Sequence, residues 1–242
     1  MYAAAAALVL AVGGGYLSAG LHAQAPPAAK APNLTGIWNR VGPIPNVPNN
    51  PPVVTARALG FSRAFDEVMM PGYDCSPVTI PVILGDRYNF QITQQADRVI
   101  LKYEKEDVVR TVWLEGHGHP KPGAYDFSIH GHSVGRYEGD RLVIETNKFV
   151  FDPRGLSDNF IPTSTAKKVT ERYWREGNKL RMEAITTDPL VLREPFKYSW
   201  EWDLTQRPLE VYACDPEYSS YGRDYQPSKY QDPDFVRIPA AK

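Results

Sequence analysis

Apolar and polar residues alternate along much of this chain, which is the pattern of β-strands with one buried face. In residues 108–114, Val108, Arg110, Val112 and Leu114 fall on one face, and the residues between them fall on the other. The same alternation predicts further strands elsewhere. They cover residues 34–40, 88–94, 98–104, 108–114, 133–137, 142–147, 166–174, 179–187, 196–204 and 209–214.

Short turns join several of these strands to the next. Residues 95–97 read as one hairpin turn, and Gly139 and Gly177 lie at the centres of two more. A long loop is predicted over residues 148–163. Consecutive antiparallel strands leave edges that need protection, and closing the sheet into a barrel removes those edges. We therefore expect an all-β fold, an antiparallel meander closed into a β-barrel, with a β-sandwich as the alternative.

Helical periodicity is confined to residues 55–69. Apolar residues recur there at spacings of three and four, and Thr55 is a suitable N-cap. They are Ala58, Phe61, Phe65 and Met69. The sequence predicts one short N-terminal helix at this place and an irregular tail from Asp215 onwards.

The N-terminal residues differ in composition from the rest. An apolar and glycine-rich run over residues 3–16 is followed by small residues near Ala23, as in a signal peptide. The expected organisation is a signal peptide over 1–23, a disordered Pro/Ala spacer over 24–33 and a single domain over 34–242. A periplasmic or secreted location follows, with no membrane attachment after cleavage.

The two cysteines agree with export. An exported protein with an even number of cysteines usually pairs them, so we expect a disulfide between Cys75 and Cys214.

Charge gives no indication of a nucleic-acid partner. The 27 basic residues nearly balance the 28 acidic ones, for a net charge of -1. Without a basic excess there is no electrostatic reason to expect nucleic acid or an anionic membrane. The expected partner is a small-molecule ligand or substrate.

Two segments resemble known families. Gly36 and Trp38, in the stretch Leu-Thr-Gly-Ile-Trp, resemble the opening signature of lipocalins. Residues 131–146 read GHSVGRYEGDRLVIET and resemble the signature of a large group of secreted bacterial proteins, mostly uncharacterised, whose first strand also reads Leu-Thr-Gly-x-Trp. This resemblance extends over residues 34–212. It implies no particular activity. The resemblance to lipocalins implies a barrel whose tryptophan plugs one end.

Candidate chemistry is concentrated between two strands. Four of the five histidines, His117, His119, His130 and His132, fall within 16 residues. Histidine titrates near neutral pH, and a neighbouring carboxylate can orient it and raise its basicity. We expect His132 to act as the general base or acid and His119 as the second acid–base group.

Neighbouring residues complete this hypothesis. Asp126 would orient one histidine, and Tyr125 or Arg110 would stabilise developing negative charge on oxygen. The predicted function is a cofactor-independent lyase or isomerase acting on a small apolar, aromatic molecule in the barrel. A non-catalytic periplasmic binding protein is the alternative.

Other interpretations of the histidines remain open. His117-x-His119 and His130-x-His132 are two pairs that a hairpin could bring together around zinc or copper. The whole stretch could also be a solvated surface loop.

Further candidates lie on the strands. Arg110, Trp113, Tyr103 and Glu145 are the expected substrate-binding residues, although Tyr103 and Trp113 fall on opposite faces. Arg110 stands in an apolar row and needs a partner, for which Glu104 and Glu145 are the candidates. Arg110 would either bind an anionic or carbonyl oxygen or form an ion pair that orders the barrel.

Overall fold

The structure is a computed structural model that describes residues 31–40, 51–85, 88–118, 120–157, 160–210 and 212–225. The expected signal peptide over 1–23 and most of the expected spacer lie outside the described residues, as does His119. None of the helices in these ranges is long and apolar enough to cross a membrane.

Nine strands form a closed barrel, which confirms the predicted all-β, lipocalin-like fold. In their order around the barrel they are β1 (Gly36–Asn39), β11 (Phe196–Thr205), β10 (Lys179–Thr187), β9 (Lys168–Glu176), β6 (Arg141–Asn147), β5 (His132–Glu138), β4 (Val109–Leu114), β3 (Arg98–Tyr103) and β2 (Phe90–Gln94). A separate two-stranded ribbon pairs β7 (Asp152–Ser157) with β8 (Ile161–Thr163).

Short helices precede and follow the strands. They are α1 (Ala56–Ala64), three single turns of 3-10 helix (Glu67–Met69, Pro71–Asp74 and Val82–Gly85) and α2 (Pro216–Tyr225). As predicted, the Thr55 side chain caps α1, accepting from the Ala58 amide at 3.2 Å. We call residues 51–85, which contain α1 and the 3-10 turns, the cap.

One strand pair departs from the predicted antiparallel meander. β4 and β5 run parallel, with Val112 opposite Ser133 and Leu114 opposite Gly135, whereas the other eight neighbouring pairs of the barrel are antiparallel. Strand direction reverses across each antiparallel pair, so a closed ring needs an even number of such pairs. A ring of nine strands therefore cannot be antiparallel throughout.

The two ends of the barrel differ. At one end, the turn end, short turns join β2 to β3, β5 to β6 and β9 to β10. At the other end, the capped end, lie the cap, the β7–β8 ribbon and residues 188–195. The cap joins the barrel there through the Thr55 amide, which donates to the Val191 carbonyl at 2.8 Å.

Alternate residues of each strand fill the barrel interior, as the pleat requires. Trp38 is fully buried, its indole N–H donates to the Leu34 carbonyl at 3.0 Å, and the Arg175 guanidinium lies 5.3 Å from its ring centre. Around it packs an aromatic core in which Phe90 stacks on Tyr103 and meets the edge of Trp202.

Four local predictions were wrong. Residues 148–163, predicted as a loop, contain the β7–β8 ribbon. Residues 209–214 were predicted as a strand, but their described members form only a bridge between Lys105 and Tyr212, because the pairing of β1 with β11 leaves no free barrel edge. The predicted helix over 55–69 ends at Ala64, and a 3-10 turn over Glu67–Met69 follows it, because the Asp66 side chain accepts from the Val68 amide and starts a new turn.

The part of the tail that the structure describes, Pro216–Tyr225, forms a helix instead of irregular structure, and residues 226–242 lie outside the described ranges. The Asp215 carboxylate accepts from the amides of Glu217 and Tyr218, and Pro216 occupies the first helical position. Both features favour a helix start.

A disulfide joins Cys75 to Cys214, as predicted, across a sequence separation of 139 residues. It connects the cap to the segment that leads into α2. The Ser219 hydroxyl of α2 adds a hydrogen bond to the Gly72 carbonyl at 3.0 Å. The C-terminal helix therefore fastens the cap from outside the barrel.

Removing this cross-link should destabilise the protein. The double variant Cys75→Ser/Cys214→Ser should lose about 2–4 kcal/mol of unfolding free energy, because the unfolded chain regains the freedom of a long loop. Denaturant titration with and without reductant measures the loss. Reductant should lower the midpoint of the wild type alone, and an equal shift in the variant would contradict this explanation.

Candidate functional site

The histidine-rich connection runs from one end of the barrel to the other. Because β4 and β5 are parallel, residues 115–131 leave β4 at the turn end and enter β5 at the capped end. Its start is fixed by the Glu115 amide, which donates to the Gly135 carbonyl at 2.9 Å. Its finish lies beside β6, where the Ser128 amide donates to the Lys148 carbonyl at 3.0 Å.

This course separates the histidines that the metal hypothesis placed together. His117 is exposed at the turn end, whereas His130 and His132 are half-buried at the capped end. The five steps along β5 from His132 to Tyr137 correspond to about 16 Å of extended chain. Within the described ranges, no three His, Cys, Asp or Glu side chains are grouped so that they could hold a metal ion.

Two members of the predicted catalytic set lie in solvent. The Asp126 carboxylate accepts from the Gly123 amide at 2.5 Å and so closes its own turn. The Tyr125 side chain is 94% exposed. His132 begins β5 with the opposite orientation to Ser133, which faces the interior. These three side chains therefore do not come together inside the barrel.

The centre of the interior holds a buried ion pair. Arg110 is 3% exposed and Glu171 is fully buried. The Arg110 guanidinium donates to both carboxylate oxygens of Glu171, through Nη1 to Oε1 at 3.1 Å and through Nη2 to Oε2. A fork-to-fork pair of this kind fixes both side chains.

Neighbouring hydroxyls complete the network. Arg110 also donates to Ser133 Oγ at 3.0 Å and to Thr146 Oγ1 at 2.7 Å, and these hydroxyls lie 2.9 Å apart. The Tyr173 hydroxyl donates to Glu171 Oε1 at 2.8 Å. The network joins β4, β5, β6 and β9, and so fastens the part of the barrel that contains the parallel pair.

The burial of these side chains shifts their pKa values. Burial acts to lower the pKa of Arg110, but the Glu171 carboxylate outweighs it and raises that pKa above its usual range. Burial has the opposite effect on the phenols. It raises the pKa of Tyr103, Tyr173 and Tyr198, so all three are uncharged at neutral pH. Arg110 thus acts as a structural cation, the second of its two predicted roles.

The expected partners of Arg110 were wrong. Glu104 is buried, but its carboxylate accepts from the backbone amides of Asn89 at 2.9 Å and Glu210 at 2.8 Å. Glu145 lies on the outer face and pairs with Arg136 at 2.9 Å. Neither carboxylate reaches the network.

Two further predicted binding residues lie on opposite sides of the wall. Tyr103 faces the interior and is 5% exposed, close to Arg110 and Glu171. Trp113 faces outward, and the Arg98 guanidinium lies 4.6 Å from its ring centre.

A second buried cation lies at the capped end. Lys167 is 1% exposed, and its Nζ donates to the Thr79 hydroxyl at 3.0 Å and to the Ile80 carbonyl at 2.8 Å. The same Nζ lies 4.0 Å from the centre of the Phe149 ring. Burial lowers the pKa of Lys167 to about 7, although the carboxylates of Asp152 and Asp188 act to raise it. Lys167 therefore exchanges between ammonium and amine near neutral pH.

His130 is coupled to this lysine. Burial is the main cause that lowers the pKa of His130 to about 4, and the positive charges of Arg110 and Lys167 lower it further. The Thr79 hydroxyl that accepts from Lys167 donates to the carbonyl of Ile129, the residue before His130, at 2.6 Å. His130 is therefore an uncharged base at neutral pH. It is connected to Lys167 through the hydrogen bonds of Thr79 and through Ile129, its neighbour in the chain.

A cleft of about 220 Å³ is lined by the residues that precede His130 and Thr79 in the chain, Ile129 and Val78, although His130, Lys167 and Thr79 do not line it themselves. Its walls come from the cap, the end of the connection and the start of the ribbon, and include Met70, Val78, Ile129, Val150, Phe151 and Asp152. Ile129 accepts the Thr79 hydrogen bond, and Asp152 is one of the carboxylates whose field reaches Lys167. We refer to His130, Lys167 and Thr79, with this cleft, as the capped-end site.

A larger groove of about 680 Å³ lies at the turn end. His117, Gln94, Arg136 and Tyr137 line it. The Gln94 side chain donates to the Tyr137 hydroxyl at 2.8 Å and accepts from the Leu34 amide at 2.6 Å, so it joins β2, β5 and the start of the barrel.

Neither a comparison with models of known protein families nor a search among curated proteins finds a match for this chain.

Sequence reasoning missed Lys167, Glu171 and Thr79, although a signal for two of them was present. Within the predicted strand over 166–174, Lys167 and Glu171 share the parity of Val169 and Tyr173, and all four side chains are buried. Two charges on an apolar face indicate buried ionic groups. No comparable signal marks Thr79, because the sequence does not reveal how the cap packs.

Breaking the interior ion pair should strongly destabilise the barrel. Glu171→Gln keeps the shape of the side chain but leaves Arg110 as an unpaired buried cation, so the unfolding free energy should fall by about 3–5 kcal/mol. Glu145→Gln, which breaks the exposed pair with Arg136, should cost less than about 1 kcal/mol. Denaturant titration of both variants tests this, and equal losses would show that the interior pair has no special role.

Stability should also depend on His130 in mildly acidic solution. Its folded pKa of about 4 lies below the usual value of 6.5, so the unfolded state binds more protons between these two pH values. Lowering the pH from 7 to 4 should therefore remove about 3 kcal/mol of unfolding free energy through His130 alone. The charged groups that act on its imidazole are Arg110, which stays positive throughout this range, and Lys167, which becomes fully positive as the pH falls below 7.

The measurement is the unfolding free energy against pH for the wild type, His130→Gln and His117→Gln. Acidification should destabilise the wild type more than His130→Gln. His117→Gln should follow the wild type, since that imidazole is exposed at the other end of the barrel. Parallel curves for the wild type and His130→Gln would contradict the assignment.

Proposed function

We propose that this protein is a cofactor-independent lyase or isomerase that acts by acid–base chemistry on a small, largely apolar, aromatic molecule bound at the capped end. The observation that supports it is the pairing of two basic side chains, His130 and Lys167, both uncharged or partly uncharged near neutral pH, beside a cleft with apolar walls. Titratable groups with strongly perturbed pKa values beside a cleft are typical of functional sites.

The size and lining of the cleft support the substrate class. A volume of about 220 Å³ suits a molecule with a single ring, and Met70, Val78 and Phe151 offer apolar contacts to it.

The two basic side chains have different roles in the proposed reaction. His130 takes a proton from an acidic carbon of the bound molecule, because its imidazole is neutral and half-buried. Lys167 in its ammonium form stabilises the negative charge that develops on a neighbouring oxygen. Return of the proton to a different carbon isomerises the molecule, and loss of a leaving group makes the reaction an elimination.

The residues in this proposal differ from those that the sequence suggested. Asp126 and Tyr125 lie in solvent, and His130 takes the place that His132 held in the hypothesis. An extracytoplasmic location remains part of the proposal, and the Cys75–Cys214 disulfide supports it.

Non-catalytic binding is a second candidate, and one observation favours it. The Lys167 ammonium already has the Thr79 hydroxyl, the Ile80 carbonyl and the Phe149 ring as partners, which is the arrangement of a structural cation. In that case the lysine fixes the cap, and the cleft only holds its ligand.

Turnover with matched variants separates these candidates. A panel of small aromatic alcohols, ethers and ketones is incubated with the full chain in deuterium oxide, and products and deuterium incorporation are followed by mass spectrometry. His130→Gln should lose about 10²–10⁴-fold in rate with ligand binding retained, which is the usual contribution of a general base. His117→Gln is the control and should keep the wild-type rate.

The pH profile provides an independent check. The acid limb of kcat/KM should lie near pH 4, the pKa of His130, instead of near the usual histidine value of 6.5. Compounds that bind at the cleft without deuterium exchange or turnover would establish the binding protein instead.

A further inference from the structure

The charged side chains that line the capped-end cleft indicate which molecules it can hold. Among the described residues of its lining, two are charged, Arg154 and Asp152, and they stand among apolar residues such as Met70 and Phe151. Arg154 lies in β7 and is half-buried, so its side chain is partly withdrawn from water and still forms part of the cleft wall. A cation at such a place attracts an anionic group of a bound molecule more strongly than a fully solvated one does.

The Arg154 guanidinium has hydrogen-bonding capacity left for a ligand. Its Nη1 lies 3.4 Å from Met70 Sδ, and a thioether is a weak and uncharged acceptor. No carboxylate in the described part of the chain forms an ion pair with it. A guanidinium offers five N–H donors in a planar fork, which matches the two oxygens of a carboxylate. A carboxylate in the cleft would therefore supply the partner that the protein does not.

Both ends of this side chain are anchored to the fold. The Arg154 amide donates to Asp152 Oδ1 at 2.8 Å, and the next residue, Gly155, packs so closely on Thr163 of β8 that it leaves no room for a side chain. Met70, at the other end, lies between two 3-10 turns of the cap. Because the ribbon and the cap fix the side chain in this way, little conformational freedom is lost when a ligand binds to it.

Asp152, the other charged residue of the lining, has a cation of its own. Burial dominates the pKa of Lys167, and the Asp152 carboxylate acts against it by favouring the ammonium form. The negative charge of Asp152 is thus offset in part by Lys167, whereas the positive charge of Arg154 has no carboxylate at bonding distance among the described residues. An anionic group in the cleft is therefore most favoured beside Arg154.

An aromatic ring finds a contact close to this arginine. Phe151 directly precedes β7, lines the cleft and is 51% exposed. Its ring meets Phe61 of the cap edge-on at 5.5 Å between ring centres, which fixes its position. The exposed part of the ring can be covered by a second ring, with a gain from apolar burial and from aromatic contact. Phe151 and Arg154 lie within four consecutive residues, so one small molecule can meet both.

We propose that the capped-end cleft selects an aromatic carboxylate, whose carboxylate is bound by the Arg154 guanidinium and whose ring contacts Phe151. This inference rests on the proposed function, because it concerns the same cleft and narrows the aromatic molecule to one with an anionic group. Arg154 determines specificity here and takes no part in the proton transfer, which is assigned to His130.

Binding of a matched pair of compounds tests this inference. Benzoate and benzamide have the same ring and nearly the same shape, but only benzoate is an anion at pH 7. Each compound is titrated into the full chain by calorimetry at about 0.15 M salt, where exposed charges are largely screened. Hydrogen exchange of residues 150–154 locates the binding. The wild type should bind benzoate about tenfold to hundredfold more tightly than benzamide, which is the usual effect of hydrogen bonds to a charged group.

Three variants assign the preference to Arg154. Arg154→Gln should lower the affinity for benzoate by about tenfold to hundredfold and leave that for benzamide unchanged. Arg154→Lys keeps the charge without the planar fork, so it should keep part of the preference. Arg63→Gln is the matched control, because Arg63 is exposed on α1 of the cap and does not line the cleft. The comparison of the two compounds in the wild type remains valid even if Arg154→Gln does not fold.

The outcomes separate a failure of this inference from a failure of the proposed function. A preference for benzoate that Arg154→Gln removes and Arg63→Gln keeps supports the carboxylate site. Equal binding of both compounds, with residues 150–154 protected, overturns the inference and leaves the cleft as a site for neutral aromatic molecules. A preference that Arg63→Gln also removes, or that comes without this protection, places the anion elsewhere and overturns the inference as well. If neither compound protects these residues, both the inference and the proposed function are rejected.

Discussion

The odd number of strands is the constraint on which the rest of this structure depends. A ring of nine strands needs one parallel pair, and the protein places it between β4 and β5. Parallel neighbours cannot be joined by a tight turn. Residues 115–131 must therefore travel the length of the barrel, which puts His117 and His130 at opposite ends and brings Ile129 against the cap.

Two buried cations join the elements around the parallel pair and around the cap. Arg110 joins β4, β5, β6 and β9 around the parallel pair through Glu171 and two hydroxyls. Lys167 joins β9 to the cap through Thr79 and Ile80. They differ in their counterions, since Arg110 has a carboxylate at bonding distance and Lys167 has neutral acceptors. This difference makes Arg110 a permanent charge and Lys167 a group that can lose its proton.

Much of the fold was predictable from alternation, and much of the site was not. Parity placed Tyr103 and Trp113 on opposite faces but did not identify the interior face. The structure puts Arg110 and Tyr103 inside and Trp113 outside. Parity could not identify Glu171 as the partner of Arg110, because neighbours in the sheet depend on the order of strands around the barrel. Proximity in sequence suggested that the histidines cluster, and the parallel crossover separates His117 from His130 and His132. Lys167 meets Thr79 across 88 residues of sequence, a contact that depends on how the cap folds back.

The pairing of β1 has a consequence for the order of folding. This strand, near the beginning of the described chain, closes the ring by pairing with β2 on one side and with β11, the last strand, on the other. Its contacts with β11 are therefore among the most distant in sequence, and such contacts carry a high loop-closure cost. The remaining strands can assemble into an open, curved sheet before β1 is seated. The part of the barrel made first by the ribosome is then the part completed last, and Trp38 is buried only when the ring closes.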